Sequence, residues 1–135
     1  PELSREFRGL RAWLPLKLHG ARAFRDALDE KLDLARIAAD RLRAIRDVEI
    51  VAEPELSLLA FRVRPLAIAS DEPALEALNR VVLSEVNARQ RVLLTGATVD
   101  GRFVIRVCVL SFRTHADRID ALVEDVTRAT GIAVA

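Results

Sequence analysis

Ten residues near the carboxyl end, from Arg102 to Ser111, constrain the fold more than any other part of the sequence. Successive side chains of a β-strand point to opposite faces, and here one face would receive only apolar residues. The opposite face would carry Arg106 among apolar neighbours. A guanidinium group stays charged in proteins and is costly to bury alone, so Arg106 requires either open solvent or an anionic partner. We therefore predict a strand in the middle of a sheet, with Arg106 as the unusual residue of its face.

The composition indicates one folded domain in which neither sign of charge dominates. The chain has 135 residues, of which 51% are hydrophobic and 30% are charged, and this suffices for one compact core. Its 21 basic and 20 acidic residues are interspersed, so no basic stripe predicts binding to nucleic acid. No apolar run reaches the roughly 20 residues that cross a bilayer, and the first residues lack the apolar segment of a signal peptide. We expect a cytoplasmic protein that binds neither nucleic acid nor membrane.

The amino-terminal third of the sequence predicts helices. Apolar residues spaced by three from Ser4 to Trp13 suit a helical turn, and Pro15 predicts a break near Leu14, with a second adjustment at Gly20. From Ala21 to Arg46, apolar residues recur at steps of three and four, which predicts an amphipathic helix of about seven turns. The other side of this helix is charged, and we expect it to be solvated.

Four strands and two further helices follow. Val48 to Ala52 and Leu56 to Val63 predict a hairpin around Glu53-Pro54-Glu55, and Val92 to Thr98 predicts a third strand. Asp100-Gly101 is typical of a tight hairpin and joins this third strand to the strand that contains Arg106. The two helices are predicted from a cap at Ser70 to Ala88, and from Asp117 to Thr130 with Gly131 as the stop.

This order predicts an α+β fold, with an antiparallel sheet of about four strands, helices on one face, and N-terminal helices before it. The other sheet face would be free for a second domain or subunit. Residues 1–19 do not fit this module, which we expect to span residues 20–135. The apolar residues of that first segment are typical of a piece that packs on another part of a protein, namely Phe7, Leu10, Trp13 and Leu16.

Few residues suggest chemistry. His19 and His115 are far apart, no serine or cysteine lies in a nucleophile motif, and no glycine-rich phosphate loop or metal-ligand spacing is present. The single cysteine, Cys108, excludes an internal disulfide, and we expect it to be a small core residue. Both lysines, Lys17 and Lys31, are expected on helix surfaces. Two interpretations of Arg106 remain open, a solvent-facing or edge arginine and a clamp for a carboxylate.

Four short motifs occur in order along nearly the whole chain. They are Ser4-Arg5-Glu6-Phe7-Arg8 with Trp13 and Gly20 after it, Leu58-Leu59-Ala60-Phe61-Arg62, Leu78-Asn79, and Phe103-Val104-Ile105-Arg106-Val107-Cys108 with Thr114 after it. Together these motifs resemble a known family, the group II pyridoxal-phosphate-dependent amino-acid decarboxylases, and their aromatic-L-amino-acid branch most of all. The family's first motif has a second arginine where Glu6 stands here.

The resemblance implies that the chain is the carboxy-terminal part of such an enzyme. Residues 1–19 would be the tail of a large cofactor domain, and residues 20–135 the small domain of a fold-type-I subunit in a homodimer. Arg106 falls on a family arginine near the active site that is associated with the substrate carboxylate in the glutamate-decarboxylating relatives, while Ser4 and Arg5 fall on a segment close to pyridoxal phosphate. Neither Lys17 nor Lys31 matches the Schiff-base lysine of the family, so the resemblance implies that no catalytic residue lies in this chain. The lack of metal-ligand spacing separately predicts that the chain holds no metal.

From these observations we expect a fragment of a decarboxylase that converts an L-amino acid, with an aromatic one as the expected substrate, to its amine and carbon dioxide. The fragment itself would be inactive. The sequence contains no methionine, which indicates either a trimmed initiator or a longer polypeptide. The alternative is a stand-alone binding or dimerisation module that derives from the small domain and has lost catalysis.

Overall fold

The computed structural model describes residues Arg8 to Val134 and divides into two compact units, 1–30 and 31–135. Helix α1 (Gly9–Arg43) is followed by strands β1 (Val48–Glu55) and β2 (Leu58–Val63) and a short 3₁₀ turn (Leu66–Ile68). Helix α2 (Glu72–Ala88), strands β3 (Thr95–Val99) and β4 (Arg102–Cys108), and helix α3 (Ala116–Val134) complete the chain. In the described part no helix is long and apolar enough to cross a membrane.

The four strands form one antiparallel sheet, which confirms the prediction, and the structure gives their order as β1-β2-β4-β3. The β3–β4 hairpin turns at Asp100 and Gly101, which both have positive φ, 49° and 74°. Two positive φ angles match the twist of a two-residue hairpin, and this is why Asp-Gly was a reliable signal. The turn fixes the register of the pair, in which Val99 lies opposite Arg102 and Thr95 lies opposite Arg106.

The hydrophobic core lies on one face of this sheet, where α2, α3 and the carboxy-terminal part of α1 pack. Alternate residues of the two central strands point into it, including the fully buried Phe61 and Ile105. The opposite face is called the open face below. By the same alternation it carries Leu58, Ala60 and Arg62 of β2, Arg102, Val104, Arg106 and Cys108 of β4, and Thr95, Ala97 and Val99 of β3.

The predicted helix break at Pro15 is wrong, and the irregularity lies at Gly20. Helix α1 passes through Pro15, whereas Gly20 has φ 78° and ψ 156°, outside the helical region. A proline removes one backbone hydrogen bond and a helix can bend around it, but only glycine adopts the Gly20 geometry at low cost. The long helix predicted from Ala21 is confirmed, and it ends at Arg43.

Four predicted boundaries also move. The β1–β2 turn lies at Leu56 and Ser57, because β1 continues through Pro54 to Glu55. β1 is an edge strand, where a missing N–H is tolerated. Helix α2 is capped by the Asp71 side chain, which accepts a 3.0 Å hydrogen bond from the Ala74 N–H, so the prediction of Ser70 was off by one. The other two shifts are a later start of β3, at Thr95, and the continuation of α3 through Gly131 to Val134.

Two burial predictions are wrong. Cys108 is exposed because it points to the open face rather than into the core. Lys31 is buried, with 5% of its surface exposed, and its Nζ donates a 2.5 Å hydrogen bond to the backbone carbonyl of Thr114. Its position on α1 therefore belongs to the packed side of the helix, next to Leu34 and Ala35.

Candidate functional site

Arg106 lies on the open face of β4, between β2 and β3. Its cross-strand neighbours are Ala60 on β2 and Thr95 on β3. The side chain is exposed, and its Nε donates a 3.2 Å hydrogen bond to the hydroxyl oxygen of Thr95. Between Arg8 and Val134 no carboxylate forms an ion pair with it. The solvent-facing interpretation thus describes Arg106 in this chain, and nothing in the described residues occupies its two Nη groups.

A second arginine on the same face, Arg62, differs from Arg106 in its burial and in its carboxylate partners. Arg62 is buried, with 4% of its surface exposed. Its Nε donates to Glu49 over 2.9 Å, and its Nη1 donates to both oxygens of Glu72 over 3.1 and 3.2 Å. Two carboxylates compensate the charge of Arg62, so it joins β1, β2 and α2 as a structural element. The guanidinium groups of this face that are exposed to an external anion are those of Arg106, in the middle of β4, and Arg102, beside the β3–β4 turn.

The surroundings of Arg106 leave room for a ligand. Ala60 on one side is small, and Thr95 on the other uses only the inner Nε. The outer edge of a guanidinium group, formed by its two Nη groups, matches the two oxygens of a carboxylate. This arrangement can bind and orient an anionic group that approaches the open face. The cross-strand neighbours Ala60 and Thr95 supply no acid or base, and the single thiol of the chain, Cys108, lies two positions further along the same face of β4.

The sequence also drew attention to residues other than Arg106. Ser4 and Arg5 lie outside the described residues. Lys17 is exposed on α1, and His115 directly precedes α3, where its backbone carbonyl accepts a hydrogen bond from the Arg118 N–H. Across residues 8–134 no group of three or more His, Cys, Asp or Glu could hold a metal ion.

Thr95 is part of this site, although the sequence predicts only that it lies in a strand and indicates no contact with Arg106. The sequence nevertheless contains the information, because a two-residue turn at Asp100-Gly101 places Val99 opposite Arg102 and sets the pairing of every earlier residue of the hairpin. Counting back from that turn brings Thr95 opposite Arg106, as the structure has it.

Comparisons with known proteins agree with the fold and with the motifs. Residues 2–64 match the pyridoxal-dependent decarboxylase conserved domain. Over 133 residues the chain is 32% identical to the aromatic-L-amino-acid decarboxylase of Bacillus atrophaeus, covering 93% of this chain and 28% of that protein. Tyrosine decarboxylase 2 of Arabidopsis thaliana is 31% identical over 107 residues, covering 79% of this chain and 19% of that protein.

Solved structures show the same fold. The tryptophan decarboxylase of Catharanthus roseus, in complex with L-tryptophan, is 27% identical and superposes with a TM-score of 0.79 over 92% of this chain and 27% of that one. The Oryza sativa TDC with PLP and tryptamine gives 0.85 at 23% identity, over 95% and 27%. The chain thus spans less than a third of the length of these relatives.

Fold and comparisons together define the small α+β domain of a pyridoxal-phosphate-dependent enzyme. More narrowly, the chain is related to the carboxy-terminal part of the group II decarboxylases, as its four motifs implied, and aromatic-L-amino-acid decarboxylases are among its relatives. Pyridoxal phosphate is the cofactor of this family.

The described residues alone do not fit that cofactor. Its chemistry requires a lysine that binds it covalently and an acidic partner for its ring nitrogen. Lys31 is buried and bonded to the Thr114 carbonyl, and Lys17 is a surface residue of α1. The described residues therefore supply neither the covalent attachment nor the acidic partner of the cofactor.

Proposed function

We propose that this chain is the carboxy-terminal part of a pyridoxal-phosphate-dependent carboxy-lyase that converts an aromatic L-amino acid to its amine and carbon dioxide. The observation that carries this proposal is the 32% identity to an aromatic-L-amino-acid decarboxylase over 93% of the chain. In this proposal the chain is inactive alone, because the cofactor-binding lysine belongs to the large domain. Residues 1–19 are the tail of that domain, and residues 20–135 are the small domain.

Within this enzyme we propose that Arg106 binds or orients the substrate carboxylate. An exposed guanidinium with both Nη groups unoccupied by described residues supports this role. Ser4 and Arg5 remain predicted to lie near the cofactor.

We further propose that the open face and the first helix contact the rest of the polypeptide in a cytoplasmic homodimer. On α1, Leu10, Trp13 and Leu16 have 44%, 57% and 43% of their surface exposed, and Phe7 lies outside the described residues. Exposed apolar residues in such number are typical of an interaction surface. No contact with nucleic acid or membrane enters this proposal.

The first test is the denatured mass of the gene product in its source cells, compared with the 15.0 kDa of this chain. A product several times heavier supports the proposal, and a product of about 15 kDa supports the alternative, a non-catalytic binding or dimerisation module. The heavier product would then be assayed with L-tryptophan, L-tyrosine and L-glutamate for amine and carbon dioxide. The isolated chain with added pyridoxal phosphate serves as the control and should release neither.

The same assay distinguishes a second reaction on this scaffold. The phenylacetaldehyde synthase of Petunia hybrida is 30% identical over 122 residues, which makes an aldehyde-forming relative a specific competitor. Aldehyde in place of amine would identify that chemistry. Arg106→Ala in the active product should raise KM or lower kcat strongly, and unchanged kinetics would reject the role of Arg106.

A further inference from the structure

We infer that Thr95 is a positioning residue for Arg106, which fixes the guanidinium so that its two Nη groups face a carboxylate on the open face. This inference rests on the proposed function of Arg106. It adds a residue that lies outside the four motifs and on a different strand. Its basis is the hydrogen bond of 3.2 Å from Arg106 Nε to Thr95 Oγ1.

The geometry of this hydrogen bond explains why it selects one orientation. An arginine side chain has many rotamers, and ordering it on binding costs free energy. Thr95 lies directly opposite Arg106 in the β3–β4 pair, so its hydroxyl is held at a fixed distance by the sheet. Threonine is β-branched and restricted at χ1, which makes it a more rigid acceptor than serine. Because Nε is engaged, the outer edge of the guanidinium keeps both Nη groups for the ligand.

The position of Thr95 is itself fixed from α2. The Asn87 side chain accepts a 2.8 Å hydrogen bond from the Leu94 N–H and donates a 3.0 Å hydrogen bond to the Leu94 carbonyl. Leu94 is buried and directly precedes Thr95, so the two hydrogen bonds from Asn87 fix the backbone at the start of β3. The chain from Asn87 through Leu94 and Thr95 to Arg106 thus connects a helix to the exposed guanidinium.

The test compares substitutions at Thr95 in the complete gene product. Thr95→Val removes the hydroxyl at nearly constant volume and should raise KM for the amino acid about three- to tenfold, the range of one hydrogen bond to a charged group that is partly solvated. The kcat should change little. Thr95→Ser keeps the hydroxyl group, so its KM should stay close to that of the wild type. Thr98→Val is the matched control, because Thr98 lies on the same strand but points to the other face and should leave KM unchanged.

A double-mutant cycle separates positioning from general stability. In an Arg106→Ala background, Thr95→Val should have no further effect on KM, whereas a merely structural role predicts the same additional loss. Inhibition by the amine product, which lacks the carboxylate, should be insensitive to Thr95→Val.

The outcomes also distinguish this inference from the proposed function. If Arg106→Ala raises KM and Thr95→Val does not, the positioning role is wrong and the proposed function stands. If Arg106→Ala itself has no effect, the positioning role of Thr95 and the proposed role of Arg106 are both wrong, while the decarboxylase assignment is still decided by amine formation. If the gene product has no activity, the inference is decided on the isolated chain by exchange of the Arg106 Nε–H with water, followed by NMR. Thr95→Val should accelerate that exchange relative to wild type and Thr98→Val, and equal rates would overturn the inference.

Discussion

The side chain of Asn79 pairs with the backbone of Val63 as a neighbouring strand would. Its Oδ1 accepts a 2.7 Å hydrogen bond from the Val63 N–H, and its Nδ2 donates a 2.8 Å hydrogen bond to the Val63 carbonyl. A third hydrogen bond, of 2.8 Å, joins Nδ2 to the carbonyl of Leu75. Asn79 is fully buried, so these groups have no access to water. The helix thereby completes the hydrogen bonding of β2 where β4 has already ended its pairing.

This relationship predicts a large loss of stability for Asn79→Leu. The substitution preserves the volume approximately but leaves the Val63 N–H and carbonyl buried without partners, at about 1–3 kcal/mol for each group. We expect the free energy of unfolding to fall by about 2–5 kcal/mol in urea titrations. Asn87→Leu is the matched control on the same helix, because Asn87 also binds a backbone N–H and carbonyl but is only half-buried, so its loss should cost less than that of the fully buried Asn79. A smaller effect at Asn79 than at Asn87 would contradict this account.

Gly96 is required by the ring of Phe103 rather than by its own backbone. A Cβ at residue 96 would lie 2.6 and 2.7 Å from two carbons of the Phe103 ring. The ring cannot move away easily, because the Arg80 guanidinium lies over it at 4.4 Å from the centroid. Gly96→Ala should therefore destabilise the chain by about 1–3 kcal/mol, measured by thermal or urea unfolding.

Two variants check the cause of that loss. Gly131→Ala lies in helix α3 with nothing within 4 Å of the new Cβ, and it should stabilise the chain by about 0.5–1 kcal/mol. Phe103→Leu combined with Gly96→Ala should cost less than the sum of the two single changes. Additive effects would show that the clash with the ring is not the cause.

Much of the sheet could be predicted from sequence because its signals are local. The Asp100-Gly101 turn and the alternation around Arg106 together determine the β3–β4 hairpin, its register and the face on which Arg106 lies. The turn at Leu56 lacked such a signal, since Leu56 adopts a φ of 55° that the sequence does not favour. Its conformation follows from the pairing of β1 with β2, which is a tertiary constraint.

Burial was harder to predict, for the same physical reason. Cys108 lies in an apolar strand, but only the placement of all helices on one face decides that it is exposed. Lys31 is a polar residue whose burial depends on the Thr114 carbonyl, 83 positions away. A hydrogen bond across such a separation leaves no trace in local periodicity. Arg62 and Arg106 show the same limit, because equivalent alternation places one in a buried ion-pair network and the other in solvent.

This contrast between the two arginines can be measured directly. Arg62→Ala removes a buried guanidinium and leaves Glu49 and Glu72 without their common partner, so we expect a loss of about 2–3 kcal/mol in stability. Arg106→Ala removes an exposed side chain with one hydrogen bond and should change stability by no more than about 0.5 kcal/mol. Urea unfolding of the isolated chain provides both values. A strong destabilisation by Arg106→Ala would assign that residue a structural role instead of a binding role.

The buried carboxylate of Asp125 should contribute more to stability than the exposed carboxylate of Glu124, although both bind Arg91. Asp125 on α3 has no exposed side-chain surface. Its Oδ1 forms ion pairs with Arg89 Nε at 2.6 Å and with Arg91 Nη1 at 3.1 Å, and it also accepts a hydrogen bond from Arg91. Glu124 pairs with Arg91 at 2.7 Å and is 64% exposed, and this hydrogen bond is the main cause of the raised pKa of Arg91.

We expect Asp125→Asn to cost about 1–3 kcal/mol, because the neutral amide removes the buried negative charge that compensates Arg89 and Arg91, and because its NH2 group would take the position of Oδ2, which has no partner among the described residues. Glu124→Gln should cost no more than about 0.5 kcal/mol, since water solvates the exposed partner. Raising the salt concentration should reduce the small effect of Glu124→Gln and leave the larger one nearly unchanged, because buried pairs are screened less than exposed ones. Equal losses of stability for the two substitutions, both reduced by salt, would contradict this account and show that Asp125 behaves as a surface charge.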